Sequence, residues 1–377
     1  ANYLLQYINL QDAELFNPYV FTIFTHFWFF MAIQLAAAIT SFVISFLIVP
    51  VIIKYSLRKN LVDIPGRRKI HKKVTPSMGG IAIFIGFFIS SLIWTEIQDW
   101  ANIKFILVAL FVIFFIGVRD DLVPLRAMVK LMGQLMAASL VIFLFDLRIK
   151  TFYGLFGISE LPEIVSYLIT YLTIIVITNS FNLIDGLDGL AGTIAIVALL
   201  AFGVWFFLVG DSIFSILAFS MLGAIFAFLI FNWEPSEVFM GDTGALVIGM
   251  MLAILSIHFI NTNYSLPAMT PYKFKASVGT AACIIIIPLV DTLRIVILRL
   301  SKRQSPFHPD KSHVHHAIMR LGMRHSQTTL ILGAVHIFYI ALALIFNKFG
   351  DTYVLPGVIV LSFLLSVSLD RLIINKL

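Results

Sequence analysis

The chain has 377 residues, 60% of them hydrophobic and only 12% charged, with a formal net charge of +6. A soluble domain carries about 25% charged residues, so the composition excludes a water-soluble globular protein and leaves no room for an extra soluble domain. Residues 1–377 are read as a single integral-membrane domain.

The lone cysteine, Cys283, lies in an apolar run. It excludes a disulfide framework and a cysteine-built zinc cluster, and is read as a small buried hydrophobe. Residues 1–20 lack a basic start and contain Asp12 and Glu14, unlike a secretory signal peptide. Residues 3–25 are expected to form an irregular or interfacial segment. Beyond them the apolar runs, each near the roughly 20 residues a spanning helix needs, predict about eleven spans. They lie at about 29–53, 79–98, 103–118, 130–146, 163–181, 189–209, 212–231, 244–260, 277–298, 329–346 and 352–372. The predicted fold is an all-α polytopic membrane helical bundle. Residues 148–160 (RIKTFYGLFGISE) alternate and carry glycines, which predicts a small external β-hairpin.

If every second connection is placed in the cytoplasm, starting with 54–78, then 20 of the 26 Lys and Arg residues fall on the inner side. That orientation satisfies the positive-inside rule and the reverse does not. It puts the N-terminus outside and the C-terminus in the cytoplasm.

Five polar clusters then fall at inner ends of spans. KIHKKVTPSMGG (69–80) leads basic residues into a Thr-Pro turn. Gly79 and Gly80 open the next span, where free backbone N–H groups are expected to face an anion. Lys69 and Lys73 read more simply as topology signals that touch lipid headgroups. RDDLVPL (119–125) sets Asp120 beside Asp121. Adjacent carboxylates repel, so one of them wants a cation or a proton; a solvated turn is the plainer alternative.

NSFNLIDGLDGLAG (179–192) repeats Asn182, Asp185 and Asp188 every third residue, a spacing that shares one helical face. Carboxylates beside a span are costly unless paired or functional. FNWEPSEVFMGDTGALVIG (231–249) holds Asn232 at one span's end and Asp242 at the next one's start. There Asp242 also reads as a helix N-cap, and Asn232 as a C-cap. RQSPFHPDKSHVHH (303–316) gathers four of the chain's nine histidines, His308, His313, His315 and His316, within nine residues. A zinc site there lacks cysteine, and the nearby acids favour a harder cation. Binding of a diphosphate with Arg303 and Lys311 is the more economical reading. Acids for a divalent ion and cations for phosphates, on one inner surface, are what phosphoryl transfer requires.

At TPSMGG, Asp120-Asp121, NLIDGLDGLAG, FN followed by MGDTGAL, and the His-rich loop, the chain resembles the polyprenyl-phosphate N-acetylhexosamine-1-phosphate transferase superfamily. HPDKSHVHH and PLVDTLR (288–294) resemble its WecA/TagO-like branch rather than its MraY branch. The resemblance implies transfer of N-acetylhexosamine 1-phosphate, GlcNAc-1-phosphate foremost, from a UDP-sugar to undecaprenyl phosphate with release of UMP. The place implied is the cytoplasmic side of the bacterial inner membrane, in O-antigen, teichoic acid or capsule assembly. It implies a Mg²⁺ requirement that Mn²⁺ can meet, a homodimer, and no nucleic-acid partner.

By motif, Asp242 and Asn182 resemble metal ligands, and Asp188 the uracil contact. Asp185, Lys72 and Asn232 resemble nucleotide-site or diphosphate-site residues. Asp120 and Asp121 resemble the pair that activates the lipid phosphate, which with Asp242 gives the catalytic set. Arg303, His313, His315 and His316 resemble the loop gripping the donor. Asp291 carries no implied role. Direct attack and a two-step route through an aspartyl-phosphate both remain open at this stage. The rival functions are a muramyl-pentapeptide donor within the superfamily and, from another class, a membrane transporter, whose acids would sit near the midplane.

Overall fold

The computed structural model describes residues 18–63, 75–155, 160–301, 303 and 313–376. In lipid every backbone N–H and C=O must be satisfied within the protein, which leaves helices as the building units of such an apolar chain. In order these are α1 (Pro18–Arg58), α2 (Gly79–Trp94), α3 (Trp100–Leu122), α4 (Ala127–Ser139, extended by a π-turn over Leu140–Leu144), α5 (Glu163–Ile184), α6 (Leu190–Val209), α7 (Ser212–Asn232), α8 (Gly241–Ser265), α9 (Ser277–Ile284), α10 (Ile286–Ser301), α11 (Val314–Arg320), α12 (His325–Phe346) and α13 (Asp351–Lys376). One strand pair, β1 (Val62–Asp63) with β2 (Thr75–Pro76), is antiparallel, Val62 facing Pro76 and Asp63 facing Thr75.

Each of the eleven predicted runs coincides with a helix or a helix pair. Among the described residues eight helices are long and apolar enough to cross a membrane, nine if α9 and α10 form one bent span; α2 is a shorter apolar helix. The protein is a multi-pass, all-α membrane protein.

Three expectations are corrected. The chain is already helical from Pro18, so the irregular segment expected over 3–25 does not hold for 18–25; the run carries no glycine, and proline suits a first helical turn. Residues before Pro18 lie outside the described ones. Residues 148–155 form no strand. Their backbone is braced instead by helix side chains: Thr170 Oγ1 accepts from Ile149 N at 2.9 Å, Ser166 Oγ donates to Ile149 O at 2.6 Å, and Asn261 Nδ2 donates to Arg148 O at 3.0 Å. The run predicted over 277–298 is two helices meeting at 84°. Pro288 has no N–H for the carbonyl of Ile284, and His336 Nε2 of α12 donates to that oxygen instead, at 2.6 Å.

The bundle is built around α8. Of its apolar window 94% is buried, against 22% for α1 and 17% for α13. α5, α3, α2 and α6 pack along it, and α1 and α7 pack on α2. Without a hydrophobic drive between helices in lipid, close backbone approach does the holding. A Cβ on Gly80 of α2 would lie 2.1 Å from Gly244 N of α8, and one on Gly117 of α3 would lie 2.4 Å from Thr243 Cα. Gly80→Val therefore has nowhere to put its side chain. It should destabilise the protein toward the upper end of about 1–3 kcal/mol, seen as a lower midpoint of thermal unfolding in detergent; an unchanged midpoint would contradict the packing described.

Candidate active site

The start of α8 is fixed by a carboxylate from another helix. Asp121, in the last turn of α3, accepts hydrogen bonds from Asp242 N at 2.8 Å, Thr243 N at 3.0 Å and Thr243 Oγ1 at 2.5 Å. An acid at a helix N-terminus satisfies bare N–H groups and meets the positive end of the dipole. The approach requires glycine at 241, where φ is +72°; a Cβ there would sit 2.1 Å from Ser77 O and 2.6 Å from an Asp121 oxygen. The TPSMGG stretch is stitched to the same loop. Phe239 N donates to Pro76 O at 2.7 Å, Gly79 N to Phe239 O at 2.9 Å and Gly80 N to Met240 O at 2.8 Å. The anion site expected at Gly79 and Gly80 is thereby corrected, because both N–H groups are spent on carbonyls. Lys72 lies outside the described residues.

Asp120 is buried at 5% exposure. It accepts from Leu125 N at 2.5 Å and forms an ion pair with Lys130 in the first turn of α4. Lys130 Nζ also lies 2.9 Å from Asp242 Oδ2. Lys130 thus bridges two of the expected catalytic acids. In the sequence it read as one more inner cation; its position one turn inside an apolar run was the available signal.

α5 ends at Ile184 and α6 begins at Leu190, so Asn182, Asp185 and Asp188 do not share one helical face; the glycines of the GLDG turn break the helix, with Gly189 at φ +74°. Asn182, in the last turn of α5, is half-buried, and among the described residues its side chain makes no hydrogen bond. Asp185 caps that helix. Burial, then the charges of Asp242, Asp121 and Asp188, push its carboxyl up to about 8.

Asp188 turns elsewhere. Ser236 Oγ donates to it at 3.0 Å, and His325 Nδ1 of α12 lies 3.1 Å from its other oxygen. Burial alone would raise this carboxyl, but His325 and Ser236 outweigh it and hold it below the usual range. Asn232, expected in the substrate site, is 4% exposed and acts as a clamp: it accepts from Gly189 N at 2.9 Å and donates to Val238 O at 2.8 Å. Its carboxamide thus joins the loop that carries Asp188 to the loop that leads into Asp242.

The histidine loop reaches the same end of the bundle. A Cβ on Gly186 would be 3.2 Å from His315 Nε2, so the imidazole lies against the GLDG turn. Burial pushes His315 down to about 3, keeping it neutral. His313 stacks on His315 at 5.4 Å, and His316 lies 4.3 Å from His315 between ring centres. Asp291 of α10, 3% exposed, acquires a role here. One oxygen lies 2.7 Å from His313 Nδ1 and the other accepts from Val314 N at 2.6 Å, so a single acid starts α11 and fixes an imidazole. Arg303 sits in the exposed turn that closes α10, its N–H bonded to Leu300 O at 3.0 Å; residues 304–312, with His308 and Lys311, lie outside the described ones. Asp291→Asn keeps an acceptor for Val314 N but loses the charge that orients His313. It should cost up to about 10²-fold in turnover with the melting midpoint nearly unchanged; full activity would show that His313 needs no such orientation.

The profile of the family described as Glycosyl transferase family 4 matches residues 103–260. The chain is 32% identical over 302 residues to a probable undecaprenyl-phosphate N-acetylglucosaminyl 1-phosphate transferase of Bacillus subtilis (strain 168), covering 78% of this chain and 80% of the relative. It is 28% identical over 287 residues to the undecaprenyl-phosphate alpha-N-acetylglucosaminyl 1-phosphate transferase of Salmonella typhi, covering 74% of each. A decaprenyl-phosphate N-acetylglucosaminephosphotransferase of Mycolicibacterium smegmatis is 27% identical over 327 residues, 80% of each chain. With its acids and histidines gathered at one end of an α-helical membrane bundle, the chain belongs to glycosyl transferase family 4, in the WecA/TagO-like branch of the polyprenyl-phosphate N-acetylhexosamine-1-phosphate transferases.

Proposed function

We propose that the protein moves N-acetylglucosamine 1-phosphate from UDP-N-acetylglucosamine to undecaprenyl phosphate and releases UMP, at the cytoplasmic face of the bacterial inner membrane. The observation that carries this reading is the meeting of Asp121, Asp185, Asp242 and Lys130 at one end of the bundle. The Lys and Arg distribution supports a cytoplasmic position for that end. The names of the relatives support a polyprenyl phosphate acceptor.

Asp185, Asp242 and the Asn182 carboxamide offer hard oxygen donors, which fits Mg²⁺ or Mn²⁺ and not a soft metal. Among the described residues no three His, Cys, Asp or Glu close on one point. An ion of the magnesium kind keeps waters and takes substrate phosphate oxygens beside one or two carboxylates, so it needs no such cluster. When bound, such an ion would neutralise charge on the donor diphosphate.

The chain's own groups do the rest. An oxygen of the acceptor phosphate attacks the β-phosphorus of the donor; the new P–O bond forms as the bond to the bridging oxygen breaks, and UMP leaves with that oxygen. Lys130, held between Asp120 and Asp242, offers a cation for the acceptor phosphate. Asp121 has both oxygens engaged and serves as a positioning residue. A covalent aspartyl-phosphate on Asp121 would disturb one hydrogen bond if formed through Oδ1 and two if formed through Oδ2, which favours direct displacement. Neutral His315 with His313, His316 and Arg303 would grip the donor's diphosphate and sugar.

Purified protein should release UMP from UDP-N-acetylglucosamine only when undecaprenyl phosphate and Mg²⁺ are both present. No release, or release only from a muramyl-pentapeptide donor, would refute the assignment. Asp242→Asn should lower turnover by about 10²-fold or more. Mg²⁺ should also raise the wild-type melting midpoint and leave that of Asp242→Asn unmoved; equal midpoint shifts in the two proteins would remove Asp242 from the metal site.

A further inference from the structure

Below the site, α4 and α5 are joined by two carboxamides. Gln134 Nε2 donates to Asn179 Oδ1 at 3.2 Å, and Asn179 Nδ2 donates to Gln134 Oε1 at 2.7 Å and to Ile175 O at 2.8 Å. Gln134 is 2% exposed. Further along the same seam Ser139 Oγ and Tyr171 Oη lie 2.6 Å apart. Gln134 follows Lys130 by one turn on α4, and Asn179 precedes Asn182 by one turn on α5, so residues on each helix share a face. The pair therefore sits one turn beneath Lys130 on α4 and Asn182 on α5.

We propose that the Gln134–Asn179 pair is a positioning device that sets the height of α4 against α5, and through it the place of Lys130 between Asp120 and Asp242. The start of α4 has no side-chain cap of its own, and its outward face, with Met128, Met132 and Met136, is bare apolar surface. Lipid on that face holds the helix at no particular height. Two carboxamides that exchange hydrogen bonds admit one register. A shift of α4 by one residue, about 1.5 Å, breaks both bonds and strands polar groups where water is scarce. The same shift would draw Lys130 out of hydrogen-bonding reach of one of its acids. The inference rests on the transferase reading for its kinetic consequence, while the register claim is open to a test of its own.

The test replaces both partners, Gln134→Leu with Asn179→Leu. Removing two bonded polar groups together is nearly neutral for stability, so a protein that folds but has lost its register is expected. The reciprocal exchange, Gln134→Asn with Asn179→Gln, rebuilds the pair. Each protein is purified at full length and treated with an amine-reactive reagent. Labelling of Lys130 is read by mass spectrometry, and turnover and donor KM are measured beside it. The leucine pair should expose Lys130 to labelling several-fold faster and lower kcat by about tenfold or more, with donor KM within about twofold and an unchanged melting midpoint. The exchange should restore both protection and kcat. Wild-type protection of Lys130 in the leucine pair would overturn the proposal. Should that variant not fold, Gln134→Asn alone, which shortens the bridge, decides by the same labelling. A wild-type protein that releases no UMP would defeat the transferase reading, and the labelling comparison would still decide the register.

Discussion

Everything at this site depends on Asp121 reaching from α3 to hold the first turn of α8. Since α8 is the most buried helix, its start could drift only if the whole core moved. A carboxylate bonded to two backbone N–H groups and a hydroxyl removes that freedom at the N-terminus. Fixing that turn fixes Asp242, its second residue. Gly241 at positive φ, with Ser77 O against its open side, lets the two strands of chain come so close.

From this anchor the electrostatics build outward. Asp120, Asp121 and Asp242 lie at the contact of α3 with the start of α8, Asp185 feels the charges of Asp242 and Asp121, and Lys130 meets Asp120 and Asp242. One cation satisfies Asp120 and Asp242 at once, and Asp121 is met by hydrogen bonds. Asp185 is left with burial and like charge, as its raised carboxyl records. A buried acid among like charges answers by taking up a proton or by meeting a cation, and such perturbed acids cluster at functional sites. On the proposed function, a divalent ion and cationic groups near phosphate would meet these acids. The gathering of these groups at one end of the bundle, away from its middle, also separates this arrangement from a transporter's midplane site.

Most of the fold was legible in the sequence because apolar runs of spanning length have one stable solution in lipid. What was not legible was tertiary. The bend between α9 and α10 depends on His336 of α12 taking over a carbonyl that Pro288 abandons. The hairpin over 148–160 had the right alternation, yet Thr170, Ser166 and Asn261 claim its backbone. At the site the aspartates stood out because acids beside spans are rare. Lys130, His325 and the purpose of Asp291 did not, because a lone lysine, histidine or aspartate near a helix end has ordinary explanations. Their partners, Asp242, Asp188 and His313, lie far away in the chain. Asn232 also joins two loops, and nothing in its own stretch of sequence marks Gly189 and Val238 as its partners.

The most direct test of the central claim is the location of the ion. Mn²⁺, used as a scattering and spectroscopic stand-in for Mg²⁺, should bind together with the UDP-sugar. Its anomalous signal should fall within coordination distance of Asp242 and Asp185 and of the donor diphosphate. A signal among His313, His315 and His316, or one at the far end of the bundle, would contradict the account.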